Sequence, residues 1–289
     1  MQHVTVRVPA STSNLGPGFD CLGIALRLYN DVTVRRGSGA PLDPLMRQAG
    51  ERFFQKTGVK HFPFSVAIAG NVPAARGLGS SVTVRLGLMH GLNTLAGRPL
   101  EREKIFALCC QLEGHPDNAA PASFGGFNLV RPASRQRFAV SKELKFVLLV
   151  PDFQVRTKQA RALLPARIDR AGAVESSGNA AAIAAAFASG RYRYLRGAFV
   201  DQLHQPFRKR LVPFFDQAIA AAEEAGALGG FLSGSGSTIT AVTLGNISRV
   251  AAAMQAVAPR ARIIITTADN RGARLLPISN QKSAIRNSP

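Results

Sequence analysis

The chain has 289 residues, 46% of them hydrophobic, and a formal net charge of +19. That apolar share is enough to bury a large core, as one big domain or two closely packed ones, and it excludes a disordered chain. The basic excess raises nucleic acid as a ligand, but the Lys and Arg residues are dispersed, the runs at 207–210 and 191–196 are short, tryptophan is absent, and no zinc-ligand spacing is present; the charge reads as a solvated surface that draws in anionic ligands.

In chain order, His3 to Val8 alternates like a strand and lacks the basic-then-apolar pattern of a signal peptide. Strands are predicted at 3–9, 22–35 and 62–70, then helical periodicity at 80–97 and 101–113. Further strands are expected at 125–130 and 145–150, and Ala-rich helices at 173–189 and 210–225. The remainder reads as strand 228–232, strand 238–244, helix 247–257 and strand 261–267. Strands and helices that segregate in this way point to an α+β fold rather than to an alternating parallel sheet. The apolar run 144–150 stops at Pro151-Asp152, which places a boundary there and gives an N-terminal domain 1–150 and a C-terminal domain 151–289. No apolar run approaches the ~18 residues of a membrane span. Cys21, Cys109 and Cys110 form neither a CxxC pair nor an even disulfide framework, so they are read as core filler in a protein of a reducing, cytoplasmic compartment.

Three glycine-rich loops carry the chemistry. Pro73-Ala74-Ala75-Arg76-Gly77-Leu78-Gly79-Ser80-Ser81 runs directly into a helix that begins Val82-Thr83. Glycines let a backbone come close to phosphate, and the unpaired amides and dipole of a helix N-terminus favour an anion. The plainer alternative makes Ser80 an N-cap after a glycine turn. No Lys follows the glycines, so this is not a Walker A loop, and Val82 stands where a dinucleotide fingerprint has Gly or Ala. The loops at 9–20 and 232–238 are of similar composition, and each alone would pass as a tight turn.

Together the three loops resemble, in order, the motifs of the GHMP kinases, named for galactokinase, homoserine kinase, mevalonate kinase and phosphomevalonate kinase. Residues 10–20 resemble the first motif, 73–81 the phosphate-binding second, and 226–236 the third. The likeness runs from about residue 3 to residue 276. It implies the two-part fold of that family, an S5 domain 2-like N-terminal half against a ferredoxin-like C-terminal half. It also implies ATP as co-substrate, bound by Pro73 to Thr83 (Pro73, Ala74, Ala75, Arg76, Gly77, Leu78, Gly79, Ser80, Ser81, Val82 and Thr83) with the third-motif loop Ser233, Gly234, Ser235 and Gly236. Mg2+ would be held by Ser81 and Glu113.

Four segments are similar to the homoserine-phosphorylating branch: Asn14 to Asp20, Glu113 to Pro121, Thr157 to Pro165 and Asp201 to Arg208. The resemblance implies an L-homoserine acceptor, with Asn14, Asp20, His115 and Asp117 around its ammonium and hydroxyl, and Arg161 and Arg208 at its carboxylate. A planar guanidinium fork suits a carboxylate. Read alone, each Arg is a solvated helix residue and Asp117-Asn118 a helix cap. Asp117 and Asp20 are the candidate catalytic carboxylates, and Asp117 either takes the hydroxyl proton or only binds substrate. The likeness departs from the pattern in three places. Glu113 stands only four residues before Asp117, Val82-Thr83 replaces a small pair, and Ser237 replaces a Pro. No nucleic-acid or membrane partner is expected, and a homodimer is left open. The rival readings are another kinase of the family, of mevalonate or shikimate type, and a catalytically silent nucleotide binder.

Overall fold

Alternating valines build the first sheet. In the computed structural model, which describes residues 2–132 and 134–277, the first half of the chain runs β1 (His3–Ser13), β2 (Leu22–Arg36), α1 (Pro44–Thr57), β3 (Phe64–Gly70), α2 (Ser80–Leu95), α3 (Arg102–Glu113), α4 (Ala119–Phe124), β4 (Phe127–Arg131) and β5 (Ser134–Phe138). Val4, Val6 and Val8 of β1 and Val32 and Val34 of β2 form one core with Phe53, Leu86, Met89, Leu92 and Ile105 of the covering helices. On the opposite face of the same two strands the Thr5 and Thr33 hydroxyls hydrogen-bond at 2.9 Å. The pairing slips once: Val8 faces Asn30 and Ala10 faces Leu26, so two steps on β1 match four on β2. Extra residues of this kind bend a strand, and beyond the bend Leu22, Ile24 and Leu26 pack into a different core.

The second half runs β6 (Lys145–Val150), α5 (Thr157–Ala162), α6 (Arg170–Ser189), α7 (Gln205–Arg208), α8 (Phe215–Glu224), β7 (Gly229–Leu232), β8 (Ile239–Thr243), α9 (Ile247–Val257), β9 (Arg262–Thr266) and β10 (Arg274–Leu275). Its sheet has the antiparallel order β7-β8-β6-β9, the β-α-β-β-α-β arrangement of a ferredoxin-like unit. The apolar run of β6 is divided by the two-residue period of a strand. Val147 and Leu149 meet α8 and α9, while Phe146, Leu148 and Val150 join Ile24, Phe127 and Phe187 in the core between the two halves. A bridge between Leu26 and Ala268 and the pairing of β10 with β1 tie the halves further.

The α+β class is as expected, and the structure corrects several elements. α1 was not predicted, although Asp43 accepts from the Met46 amide at its start and Gly58 ends it at φ 64°. α4, β5, α5, α7 and β10 are not among the expected elements either. Pro9 to Ser13, read as loop, is the end of β1, and the helix expected at 210–225 is a 3-10 turn (Lys209–Leu211) followed by α8. The expected division after residue 150 falls at the end of a strand of the second sheet, and β10, from the second half, belongs to the first sheet; residues 278–289 of the expected C-terminal domain lie outside those described. Among the described residues no helix is long and apolar enough to cross a membrane. Cys109 is buried and Cys21 and Cys110 half-buried, all unpaired.

Candidate active site

The three loops converge on one cavity of about 340 Å3. The second-motif loop forms its floor. Gly77 and Gly79 adopt φ of 74° and 67°, a left-handed conformation that glycine takes without penalty. The structure adds a packing reason for glycine at 79: a Cβ there would lie 2.3 Å from Ser11 Oγ and 3.3 Å from Asn118 Oδ1, so it would strike β1 and its partner. Gly79 is also the N-cap of α2, and no side chain caps that helix. Ser80 is therefore not the cap of the plainer reading; Ser80, Ser81 and Val82 line the cavity with the orphan amides that a helix start presents.

Not every residue of the loop faces the cavity. The Thr83 hydroxyl donates to Ser80 O at 2.7 Å and accepts from Asn30 Nδ2 at 2.8 Å, and the Val82 side chain packs in the first core. The unusual Val82-Thr83 pair thus turns inward. Pro73 and Ala74 do not line the cavity, and the Arg76 guanidinium is spent on the carbonyls of Ala74, Pro151 and Asp152. Of the third motif, Gly234 and Ser235 line the cavity, whereas Ser233 Oγ joins the loops by bonding Gly77 O (2.7 Å) and Thr12 Oγ1 (2.8 Å). Gly236 donates back to Ser233 O, and Ser237, in place of a Pro, donates to Phe153 O at 2.7 Å.

Glu113 ends α3, and Gly114 at φ 82° turns the chain toward His115 and Asp117. Ser81 Oγ donates to Glu113 Oε2 at 3.1 Å while Arg85 pairs with Oε1 of the same carboxylate. Two hard oxygen donors beside a phosphate loop fit Mg2+, which takes one or two protein oxygens and fills its shell with phosphates and water.

The other end of the cavity is built from side chains. Asp117 is 2% exposed, and its Oδ1 accepts from His115 Nδ1 at 2.5 Å and from the Asn118 amide at 3.0 Å. Burial pushes the carboxyl up, but the bond and charge of His115 outweigh it and hold Asp117 below its usual range; for His115, burial is likewise outweighed and its value is raised. The Asp117-Asn118 cap is absent, because no side chain caps α4. Asn118 instead accepts from Ser11 Oγ and donates to Ser13 Oγ, both at 2.9 Å. Asn14, Leu15 and Asp20 all have positive φ, strain that is typically held in place at functional sites. Asn14 accepts from the Asp20 amide at 3.1 Å and donates to Gly234 O at 3.0 Å.

The two arginines differ. Arg161 makes a fork to Asp20 with bonds of 3.0 and 2.7 Å. Arg208, 2% exposed, has one bond, from Nη1 to Gly234 O at 3.1 Å, and its Nε has no partner. Burial and the Arg161 charge push Arg208 down to about 10. Sequence reasoning singled out Arg208 but not what mounts it. Asp201 caps the turn by accepting from the amides of Leu203, His204 and Gln205. His204 Nε2 donates to Gly16 O at 2.8 Å, and Gln205 bridges Phe199 O and the Leu232 amide. These residues lie within the quoted segments; Asp201 caps locally, but the Gly16 partner of His204 is 188 positions away and the Leu232 partner of Gln205 is 27, and no local signal reveals those.

Comparison with known proteins agrees with this geometry. Residues 44–126 match the model of the GHMP kinases N terminal domain and 176–260 that of the GHMP kinases C terminal. The chain is 36% identical to a homoserine kinase of Caldicellulosiruptor bescii over 96% of this chain and 98% of that one. It is 41% identical to a homoserine kinase of Synechocystis sp. over 84% and 86%. The crystal structure of homoserine kinase from Cytophaga hutchinsonii superposes with a TM-score of 0.87 at 25% identity, covering 96% of this chain and 98% of that one. With its three loops in order around one cavity and relatives matched along nearly its whole length, the chain belongs to the GHMP kinase family, in the branch of the homoserine kinases.

Proposed function

We propose that this protein transfers the γ-phosphoryl group of ATP to the side-chain hydroxyl of L-homoserine. One observation carries the reading: a buried arginine with no carboxylate partner stands beside Asp20, His115 and Asp117, across one cavity from a phosphate loop. A buried cation of this kind calls for an anion, and the acceptor's α-carboxylate supplies it. Asp20, Asp117 and the Asn14 amide then surround the ammonium and the hydroxyl.

The acceptor oxygen attacks the γ-phosphorus, the bond to the bridging oxygen breaks, and ADP leaves. The protein's part is to hold the two reactants in line and to balance charge. Gly77 to Val82 would cradle the phosphates with backbone amides. Ser81 and Glu113 would hold Mg2+, which when bound neutralises charge on the phosphate oxygens. Asp117, held ionised, is a weak base that accepts a hydrogen bond from the hydroxyl and orients it; the proton passes to the transferred phosphoryl group. Three unpaired thiols suit a reducing compartment, and we assign the enzyme to the cytoplasm.

A coupled ADP-release assay across L-homoserine, L-threonine, L-serine, mevalonate and shikimate, with and without Mg2+, tests this. Turnover should be greatest with homoserine and should require the divalent ion. Equal turnover with mevalonate would sink the substrate, and no turnover with any acceptor would favour a silent binder.

A further inference from the structure

Phe19 does not line the cavity, yet both site arginines rest on it. The Arg161 guanidinium carbon lies 5.4 Å from the Phe19 ring centroid and that of Arg208 4.9 Å. The His204 ring also packs against Phe19, with centroids 5.2 Å apart and planes 30° apart. Two like charges are thus brought together over one aromatic ring, and the Asp20 carboxylate beside them is hydrogen-bonded to Arg161 and not to Arg208. Arg208 keeps one hydrogen bond, to a carbonyl. One bond from Nη1 leaves the plane of the guanidinium free to swing about it, and the planar fork recognises a carboxylate only when its direction is fixed. The negative face of a ring attracts a cation and resists its tilting.

We propose that Phe19 is a positioning residue for the acceptor: its ring face fixes the Arg208 plane and offsets the repulsion between Arg208 and Arg161, so that the fork meets the acceptor's carboxylate. The proposal rests on the reading that the acceptor is homoserine. Phe19 sits one residue before Asp20 in the first motif, and His204 belongs to the turn that carries Arg208, so the contacts of Phe19 with His204 and Arg208 join two distant segments at the acceptor end.

The test is a set of ring and non-ring variants. Phe19→Leu and Phe19→Met keep apolar bulk and remove the ring face; Phe19→Tyr keeps it. The two non-ring variants should raise the homoserine KM about tenfold, with kcat and the ATP KM held within about twofold, and Phe19→Tyr should stay near the parent. In spectra of the parent labelled with 15N-arginine, the side-chain Nε–H signal of Arg208, assigned by its loss in Arg208→Lys, should carry a ring-current shift that is lost in Phe19→Leu. A parent that does not turn over homoserine would defeat the substrate reading, while the spectra still test the packing. Equal homoserine KM in all variants, a parallel fall in kcat and rise in both KM values, or an unshifted arginine signal in the parent would overturn the proposal. Either non-ring variant that folds, judged by its melting curve, is sufficient.

Discussion

The two ends of the cavity are made of different material. At the end proposed for the phosphates the lining is shaped by backbone, through positive φ at Gly77 and Gly79 and an uncapped helix start. At the end proposed for the acceptor the lining includes side chains fixed by specific bonds: Asp117 by His115, Asp20 by Arg161, and Asn14 by the Asp20 backbone amide and the Gly234 carbonyl. A backbone site tolerates changes of side chain and fails when the path of the chain changes. A side-chain site keeps its shape under substitution and fails when the chemistry of a single group changes.

Gly79→Val should give the largest effect, because it attacks the path of the chain. A β-branched residue at φ 67° with its Cβ 2.3 Å from Ser11 Oγ adds strain and overlap worth about 3 kcal/mol or more. Calorimetry with an ATP analogue should detect no binding, and the melting temperature should fall by roughly 10 °C. Loss of binding with an unchanged melting temperature would show that the glycine serves the phosphate and not the packing on β1.

Arg208→Lys is the matching change of chemistry. Charge is kept and the fork is lost, so the homoserine KM should rise about tenfold to a hundredfold while the ATP KM and the melting temperature change little. Arg161→Lys should give a smaller rise, since Asp20 already occupies that fork. Steady-state kinetics decides between them, and a larger effect at Arg161 would reverse the roles assigned to the two arginines.

The smallest effect expected is a pH dependence. Asp117 titrates below its usual value, so its contribution is present above pH ~4, the unfolded value, and is lost as pH falls through the lower folded one. His115 is raised, so its contribution is complete below ~6.5 and disappears as pH rises through the folded value. The pair stabilises most between about pH 4 and 6.5. The stability gap between parent and His115→Gln, followed by thermal melts, should therefore narrow from pH 6 to pH 9; a constant gap would mean that the ion pair is not its source.

The same contrast explains what the sequence made legible. The glycine spacing of 73–81 is local, so the turn into the start of α2 could be read directly, as could the main strands from their alternation. α1 carries end signals in Asp43, Pro44 and Gly58, but its apolar positions are few between polar ones, so periodicity does not reveal it. α5 and α7 have six and four residues, too short for periodicity, although they bear Arg161 and Arg208. β5 reads Ser134-Arg135-Gln136-Arg137-Phe138 and shows no apolar alternation. At the acceptor end the family motifs supplied the residues, but the pairings did not follow from them: Ser11 with Asn118 spans 107 positions and Asn14 with Gly234 spans 220. Only the folded chain brings these together.

The carbonyl of Gly234 accepts from both Asn14 Nδ2 and Arg208 Nη1, and its loop is bonded to the phosphate loop through Ser233. That oxygen makes the seats proposed for the acceptor and the nucleotide parts of one small network. Redesign of the acceptor specificity at Asn14 or Arg208 therefore cannot be modular. Substitutions at these two positions should combine non-additively with substitutions at 233–235, because groups that share one acceptor couple energetically, and a library built one position at a time would miss the working combinations.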